Sequence, residues 1–170
     1  RSCRNTQLPF LEISFTDPAR KLSALQYYTV YNGRAVSFIL YSVSDRLDEK
    51  QENVLKNVVN HARISNTTTV TGPQEDAEAF QYTDVDTGVA FTVPANWKQK
   101  EFNEERELLD AKFVPTKEDG CTMIYGSIDM WGQMSAADRV GCSRSDINNS
   151  AFTKQDVAEM YGTTADKIST

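Results

Sequence analysis

The sequence has a single histidine, His61, and its three cysteines, Cys3, Cys121 and Cys142, lack zinc-type spacing. A Ser-His-Asp or Cys-His mechanism would therefore have to run through His61, and a histidine-based metal site would have no second imidazole. His61 falls at the end of an expected helix, where a cation-capable side chain suits the negative terminus. Long apolar runs are missing too. The longest, Phe38-Ile39-Leu40-Tyr41, is far short of the roughly 20 residues that a bilayer-spanning helix needs. Nor is there a basic excess: 18 Lys and Arg are scattered among 24 Asp and Glu, for a net charge of -6. Phosphates would be repelled by such a surface, so nucleic acid is not expected as a partner. No motif calls for a cofactor or a metal.

What is present is enough for one good core or two small ones, with 170 residues of which 39% are hydrophobic. Cysteine usage allows one disulfide with a spare thiol, for which Cys121 with Cys142 is the preferred pair, or three free thiols in a reducing compartment.

Along the chain, LEISF at 11–15 alternates, with Leu11, Ile13 and Phe15 on one face. Tyr27-Tyr28-Thr29-Val30-Tyr31 then runs into Asn32-Gly33, and 34–43 is again rich in strand formers. Asn-Gly between two such runs predicts a hairpin, because both turn residues tolerate positive φ. Tyr28 and Val30 should face opposite to Tyr27, Thr29 and Tyr31. Residues 47–64 carry Val54, Leu55, Val58, Val59 and Ala62 at helical spacing, with Asp45 as the expected cap and acidic residues near the positive end. The polar, Thr-rich stretch 66–79, broken by Gly72-Pro73, reads as a linker.

A new unit follows. Phe80-Gln81-Tyr82, a turn at Asp84 and Asp86, and a strand at 89–93 lead to Pro94 and Trp97, a strand stop and an aromatic anchor. Two further strands are expected over 108–114 and 122–130, a short helix over 135–140, and a helix start at Thr153 with Asp156 reaching back to it.

The stretch Phe91-Thr92-Val93-Pro94-Ala95-Asn96-Trp97 resembles the opening of PsbP-like domains, as do Ala111-Lys112-Phe113-Val114 and Met123-Ile124-Tyr125-Gly126-Ser127-Ile128. The hairpin 28–38 and the helix ending Val59-Asn60-His61-Ala62-Arg63-Ile64 are similar to the closing half of the same module. The resemblance implies an α+β fold, an antiparallel β-sheet flanked by helices in an α/β/α sandwich. It also implies a family of photosystem accessory proteins and bacterial surface proteins or lipoproteins. The closing half comes first here. With abrupt ends at Arg1 and Thr170, this order leads us to expect a piece of a tandem array: 1–65 as the closing half of one module, 66–79 as linker, 80–170 as the opening half of the next. Halves with uncovered sheet edges would need to join as one permuted module or exchange between chains in a domain-swapped homo-oligomer.

Several clusters of polar side chains bear on chemistry. Asp84-Val85-Asp86-Thr87-Gly88 imitates the start of a calcium loop, but Ala95 occupies the twelfth position where a bidentate Glu is required, so a tight turn is the better reading. Glu101, Glu104, Glu105 and Glu107 read as a solvated face rather than an acid/base pair. Residues 153–169 mimic a helix-turn-helix, yet offer only Lys154 and Lys167 to a phosphate backbone. Asn66-Thr67-Thr68 and Asn148-Asn149-Ser150 match glycosylation sequons. Among the aromatics, Tyr27, Tyr31 and Trp131 are the candidates for a ligand-binding surface toward a protein, the cell wall or a glycan. The expectation is a non-enzymatic binding or scaffolding module of a secreted or cell-surface bacterial protein. The alternative is a carboxylate-dependent hydrolase, with a helix-turn-helix DNA-binding regulator ranked third.

Overall fold

A computed structural model describes residues 8–17, 19–44, 46–64, 78–101, 110–117, 119–148, 155, 158 and 164–169. Strands β1 (Leu11–Asp17), β2 (Leu22–Tyr31) and β3 (Arg34–Ser42) form an antiparallel meander. The β2–β3 turn is Asn32-Gly33, with φ of 48° and 73°, as this pair predicts. Helix α1 (Glu49–His61) follows, then β4 (Arg63–Ile64), β5 (Phe80–Thr83) and β6 (Val89–Val93), which pair in the order β4-β6-β5 as a small sheet. Strands β7 (Trp97–Lys100), β8 (Ala111–Pro115) and β9 (Cys121–Asp129) form a second meander. The short helix α2 (Met130–Gln133), 3-10 turns at Arg144–Asp146 and Ala165–Lys167, and the two-residue β10 (Ile168–Ser169) follow.

The two meanders meet at β3 and β9, which pair antiparallel from Arg34 with Asp129 to Ser42 with Cys121. The result is one large sheet of order β10-β1-β2-β3-β9-β8-β7. Residues from both anticipated half-modules thus join one sheet within a single chain. Of the anticipated linker 66–79, only Glu78 and Ala79 are among the described residues.

Strand alternation decides which side of this sheet is which. Tyr27, Val36, Phe38, Leu40, Met123, Tyr125 and Phe113 project to one face, where Leu55, Val58 and Val59 of α1 and Phe80, Val89, Phe91 and Val93 of the small sheet cover them. An aromatic cluster forms the centre of this layer. Phe38 lies 4.9 Å from Phe91 and 5.2 Å from Tyr125 between ring centroids, and Tyr82 and Phe113 meet edge-on at 5.5 Å, the geometry that ring quadrupoles favour. The opposite face carries two smaller clusters, Tyr28, Val30 and Ala35 with Met130 and Ile147, and Ile13 with Ala158. Both faces of β2 are therefore buried, which is why its interior shows no exposed position.

The expected cap of α1 needs correction. Asp45 lies outside the described residues, and the N-cap is Asp48. Its side chain accepts from Gln51 N–H at 2.8 Å, while Gln51 Oε1 accepts from Asp48 N–H at 3.0 Å, a reciprocal capping box. Asp48→Ala is expected to lower stability by about 1 kcal/mol in urea unfolding. The helix also ends earlier than the periodicity suggests, at His61, where Ala62 turns extended with ψ of 137°.

Three other expectations differ. Trp97 opens an unanticipated edge strand whose Lys98 and Lys100 blunt the sheet edge. Residues 135–140 form turns rather than a helix. The cysteines form no 121–142 disulfide: Cys121 and Cys142 are free, the first buried and the second exposed. Cys121 begins β9, whereas Cys142 follows the far end of that strand. Nine strand residues separate those ends by about 26 Å, well beyond disulfide reach. Burial and then the charge of Asp119 push the Cys121 thiol up to about 11, so it is an unreactive core group. Cys3, and all but a few residues of the anticipated helix-turn-helix and of the Glu101–Glu107 run, lie outside the described residues.

Candidate functional site

Two groupings of polar side chains stand out, and neither is a motif in the linear sequence. The first surrounds the Asn32-Gly33 turn. Tyr31, Arg34 and Asp129 are in register across β2, β3 and β9. Past Asp129 the chain turns into α2, and Trp131 N–H donates to Gly33 O at 3.0 Å, while Gly33 N–H donates to Ile147 O at 2.9 Å. These two bonds draw the 131–147 segment over the hairpin tip. Arg144 then reaches Asp129 with Nη2 at 2.9 Å from Oδ2, and Arg139 lies 5.4 Å over the Trp131 ring, within cation–π range. Hydrogen bonding from Arg144 holds the Asp129 carboxyl below the usual range, with the charges of Arg144 and Arg34 adding to it. Arg34 Nε, Arg139 Nε and Arg144 Nη1 are buried without a hydrogen-bond acceptor, an incomplete set of donors among the described residues. Tyr31 is 41% exposed beside this group.

The second grouping lies where the small sheet meets β9. The sequence Asp84-Val85-Asp86-Thr87-Gly88 makes the tight turn between β5 and β6: Gly88 N–H donates to Asp84 O at 2.8 Å, and Gly88 takes a φ of 75°. Asp84 is 6% exposed. Its Oδ1 accepts from the amides of Asp86 at 3.0 Å and Thr87 at 3.4 Å. Its Oδ2 accepts from Thr87 Oγ1 at 2.5 Å, from the Tyr125 hydroxyl at 3.0 Å and from Ser127 Oγ. Burial pushes this carboxyl up, but the Ser127, Thr87, Asp86 and Tyr125 donors outweigh burial and hold it below the usual range. Asp110, just before β8, accepts from Ser127 N–H at 2.7 Å and lies 2.9 Å from Ser127 Oγ. Asp110 is exposed, but partial desolvation of its carboxyl and then the charges of Asp84 and Asp86 push it up, against the lowering effect of Ser127.

No family model, curated protein or solved structure matches the chain. The functional reading therefore rests on these two groupings.

Of the three aromatic candidates, Tyr31 and Trp131 both lie at the hairpin tip, Tyr31 at the end of β2 and Trp131 bonded through its amide to Gly33 O. Tyr27 does not: its ring is 1% exposed in the core, and its hydroxyl donates to Glu12 Oε2 at 2.6 Å. His61 is exposed at the end of α1, its Nδ1 2.8 Å from Asn57 O. No set of three or more His, Cys, Asp and Glu residues is arranged to hold a metal among the described residues, and no helix there is long and apolar enough to cross a membrane. A shallow depression of about 530 Å³ lies at the first turn of α1, lined by Asp48, Glu49, Lys50 and Asn53.

Arg34, Arg139, Arg144, Asp110, Tyr125 and Ser127 were not singled out by sequence reasoning. Arg34 carried a legible signal, since it directly follows the Asn-Gly turn and so must share a strand end with Tyr31. The others come together only through β9, whose partner strand no local pattern names.

Proposed function

We propose that this chain is a non-enzymatic binding or scaffolding module, related to PsbP-like domains and working at the surface of a bacterial cell or secreted from it. The antiparallel sheet with α1 laid across one face supports the PsbP-like reading. The observation that carries the binding reading is the hairpin tip, the end of the large sheet at which Tyr31 and Arg34 lie and over which the segment carrying Trp131, Arg139 and Arg144 is drawn. Tyrosine, tryptophan and arginine are the residues that dominate contact energies, because they join a large apolar area to directional donors. The partner class is a protein, cell-wall or glycan surface.

Among the described residues, Asp84 and Asp110, which both contact Ser127 Oγ, are the carboxylate pair open to the hydrolase alternative. Asp84 commits both oxygens to five internal donors, and a carboxylate so saturated has no lone pair aimed at a substrate. It ties the fold together instead.

Co-sedimentation with purified bacterial cell-wall sacculi tests the reading. The protein is expected to be retained, and the double variant Tyr31→Ser/Arg139→Ala to lose at least about tenfold in affinity, roughly 1.4 kcal/mol, with its unfolding midpoint unchanged. Equal retention of the two proteins, or release of soluble sugar from the sacculi, would count against it.

A further inference from the structure

The junction between the two sheets contains more oxygen contacts than its hydroxyl protons can fill. Ser127 Oγ touches Oδ2 of Asp84 and lies 2.9 Å from Oδ2 of Asp110. A serine hydroxyl has one proton to donate. Thr87 Oγ1, 3.4 Å from Ser127 Oγ, directs its own proton to Asp84, as does Tyr125. With both carboxyls ionised, one of the two contacts to Ser127 would set a hydroxyl lone pair against a carboxylate lone pair. A proton on one carboxyl removes the conflict: that carboxyl donates to Ser127 Oγ, and Ser127 donates onward to the other. We propose that Asp84 and Asp110 share one proton through Ser127, with the proton on Asp110 and the charge on Asp84, as a pH-sensitive clasp between the small sheet and β9.

The assignment follows from the donors. Asp84 has two turn amides and the Thr87 and Tyr125 hydroxyls to stabilise a charge, besides Ser127. Among the described residues, Asp110 has one amide donor, that of Ser127, and it faces the negative charges of Asp84 and Asp86. Among the described residues, the remaining titratable neighbours are the Tyr82 phenol of β5 and the Tyr125 phenol of β9. Burial first, and then the charge of Asp84, push both upward, so they remain protonated throughout. Lys112 of β8 is in register with Ile124. Among the described residues, the groups that lower the Asp84 carboxyl are the Ser127, Thr87 and Tyr125 hydroxyls and the Asp86 amide, all neutral donors.

The sign of the pH effect differs for the two groups. Asp110, raised on folding, contributes stability that is full below its unfolded pKa and is lost as pH rises through its folded value. Asp84, lowered on folding, contributes stability that is present above its unfolded pKa and is lost as pH falls through its folded value. The clasp is therefore strongest in a window that includes the ordinary aspartate range and extends above it, and it loosens on either side.

Carboxyl-carbon NMR of the isotope-labelled protein reads the proton directly. In the wild-type titration, Asp84 is expected to ionise below the ordinary aspartate range and Asp110 above it. In Asp84→Asn, Asp110 should return toward the ordinary value. In Asp110→Asn, the upper step should vanish while Asp84 stays low. Ionisation of Asp110 at or below the ordinary aspartate value in the wild type would overturn the proposal, and that measurement stands even if neither variant folds. A second reading comes from urea midpoints against pH: the wild type should lose stability as pH rises through the Asp110 step, and Asp110→Asn should not. An equal loss in both proteins would also overturn it.

Discussion

Asp84→Ala is expected to lower the free energy of unfolding by about 4 kcal/mol, measured by urea denaturation at neutral pH. The side chain is almost wholly buried, and five donors converge on it. Truncation leaves the Thr87, Tyr125 and Ser127 hydroxyls and two turn amides without their acceptor. A buried donor that loses its partner costs about 1–3 kcal/mol, and rotation of the hydroxyls toward other acceptors recovers part of that sum. Ser127→Ala, which removes only one of the donors, should cost about 1 kcal/mol. The acid limb gives an independent check. Because Asp84 is lowered on folding, the stability it contributes disappears as pH falls through its folded value. Asp84→Asn should accordingly show a flatter stability profile in acid than the wild type. If Asp84→Ala cost less than about 1 kcal/mol, the carboxylate would be no tie between the sheets and its bonds would be readily replaced by water.

Gly33→Ala is expected to cost about 3 kcal/mol. Two separate effects add. At a φ of 73° a side chain pays roughly 1–2 kcal/mol for the left-handed conformation. A Cβ there would also lie 2.8 Å from Trp131 Cβ and 2.9 Å from Arg144 Cγ, so the segment that crosses the hairpin must shift, at about 1–3 kcal/mol. Gly141→Ala separates the two. Gly141 has a φ of 80° but nothing within 4 Å of its would-be Cβ, so only the conformational cost of about 1–2 kcal/mol applies. Equal losses in the two variants would mean that Trp131 and Arg144 do not press on the turn. Since both residues belong to the proposed binding surface, Gly33→Ala should also weaken retention on sacculi, whereas Gly141→Ala should not.

Much of the fold's local grammar can be read in the sequence. Alternation in LEISF and in Val89–Val93 marks strands, Asn32-Gly33 marks the hairpin, and the spacing of Leu55, Val58 and Val59 marks a helix with one apolar face. Asp84 and Gly88 mark a turn. Each of these depends on residues within a few positions of one another, where backbone sterics and hydrogen-bond geometry act. Trp97–Lys100 escaped because four residues with two lysines carry too little alternation to distinguish an edge strand from a loop.

Tertiary structure alone decided the rest. The pairing of β3 with β9 places residues from both ends of the chain in one sheet, and nothing in either strand names the other, since any two strands with matching apolar faces can pair. That pairing sets Asp129 beside Arg34 and keeps Cys121 a strand's length from Cys142. With the small sheet packed over it, β9 also carries Tyr125 and Ser127 to Asp84, some 40 residues away. Local periodicity says which side of a strand is apolar; which buried surface it meets is settled only when the whole core closes.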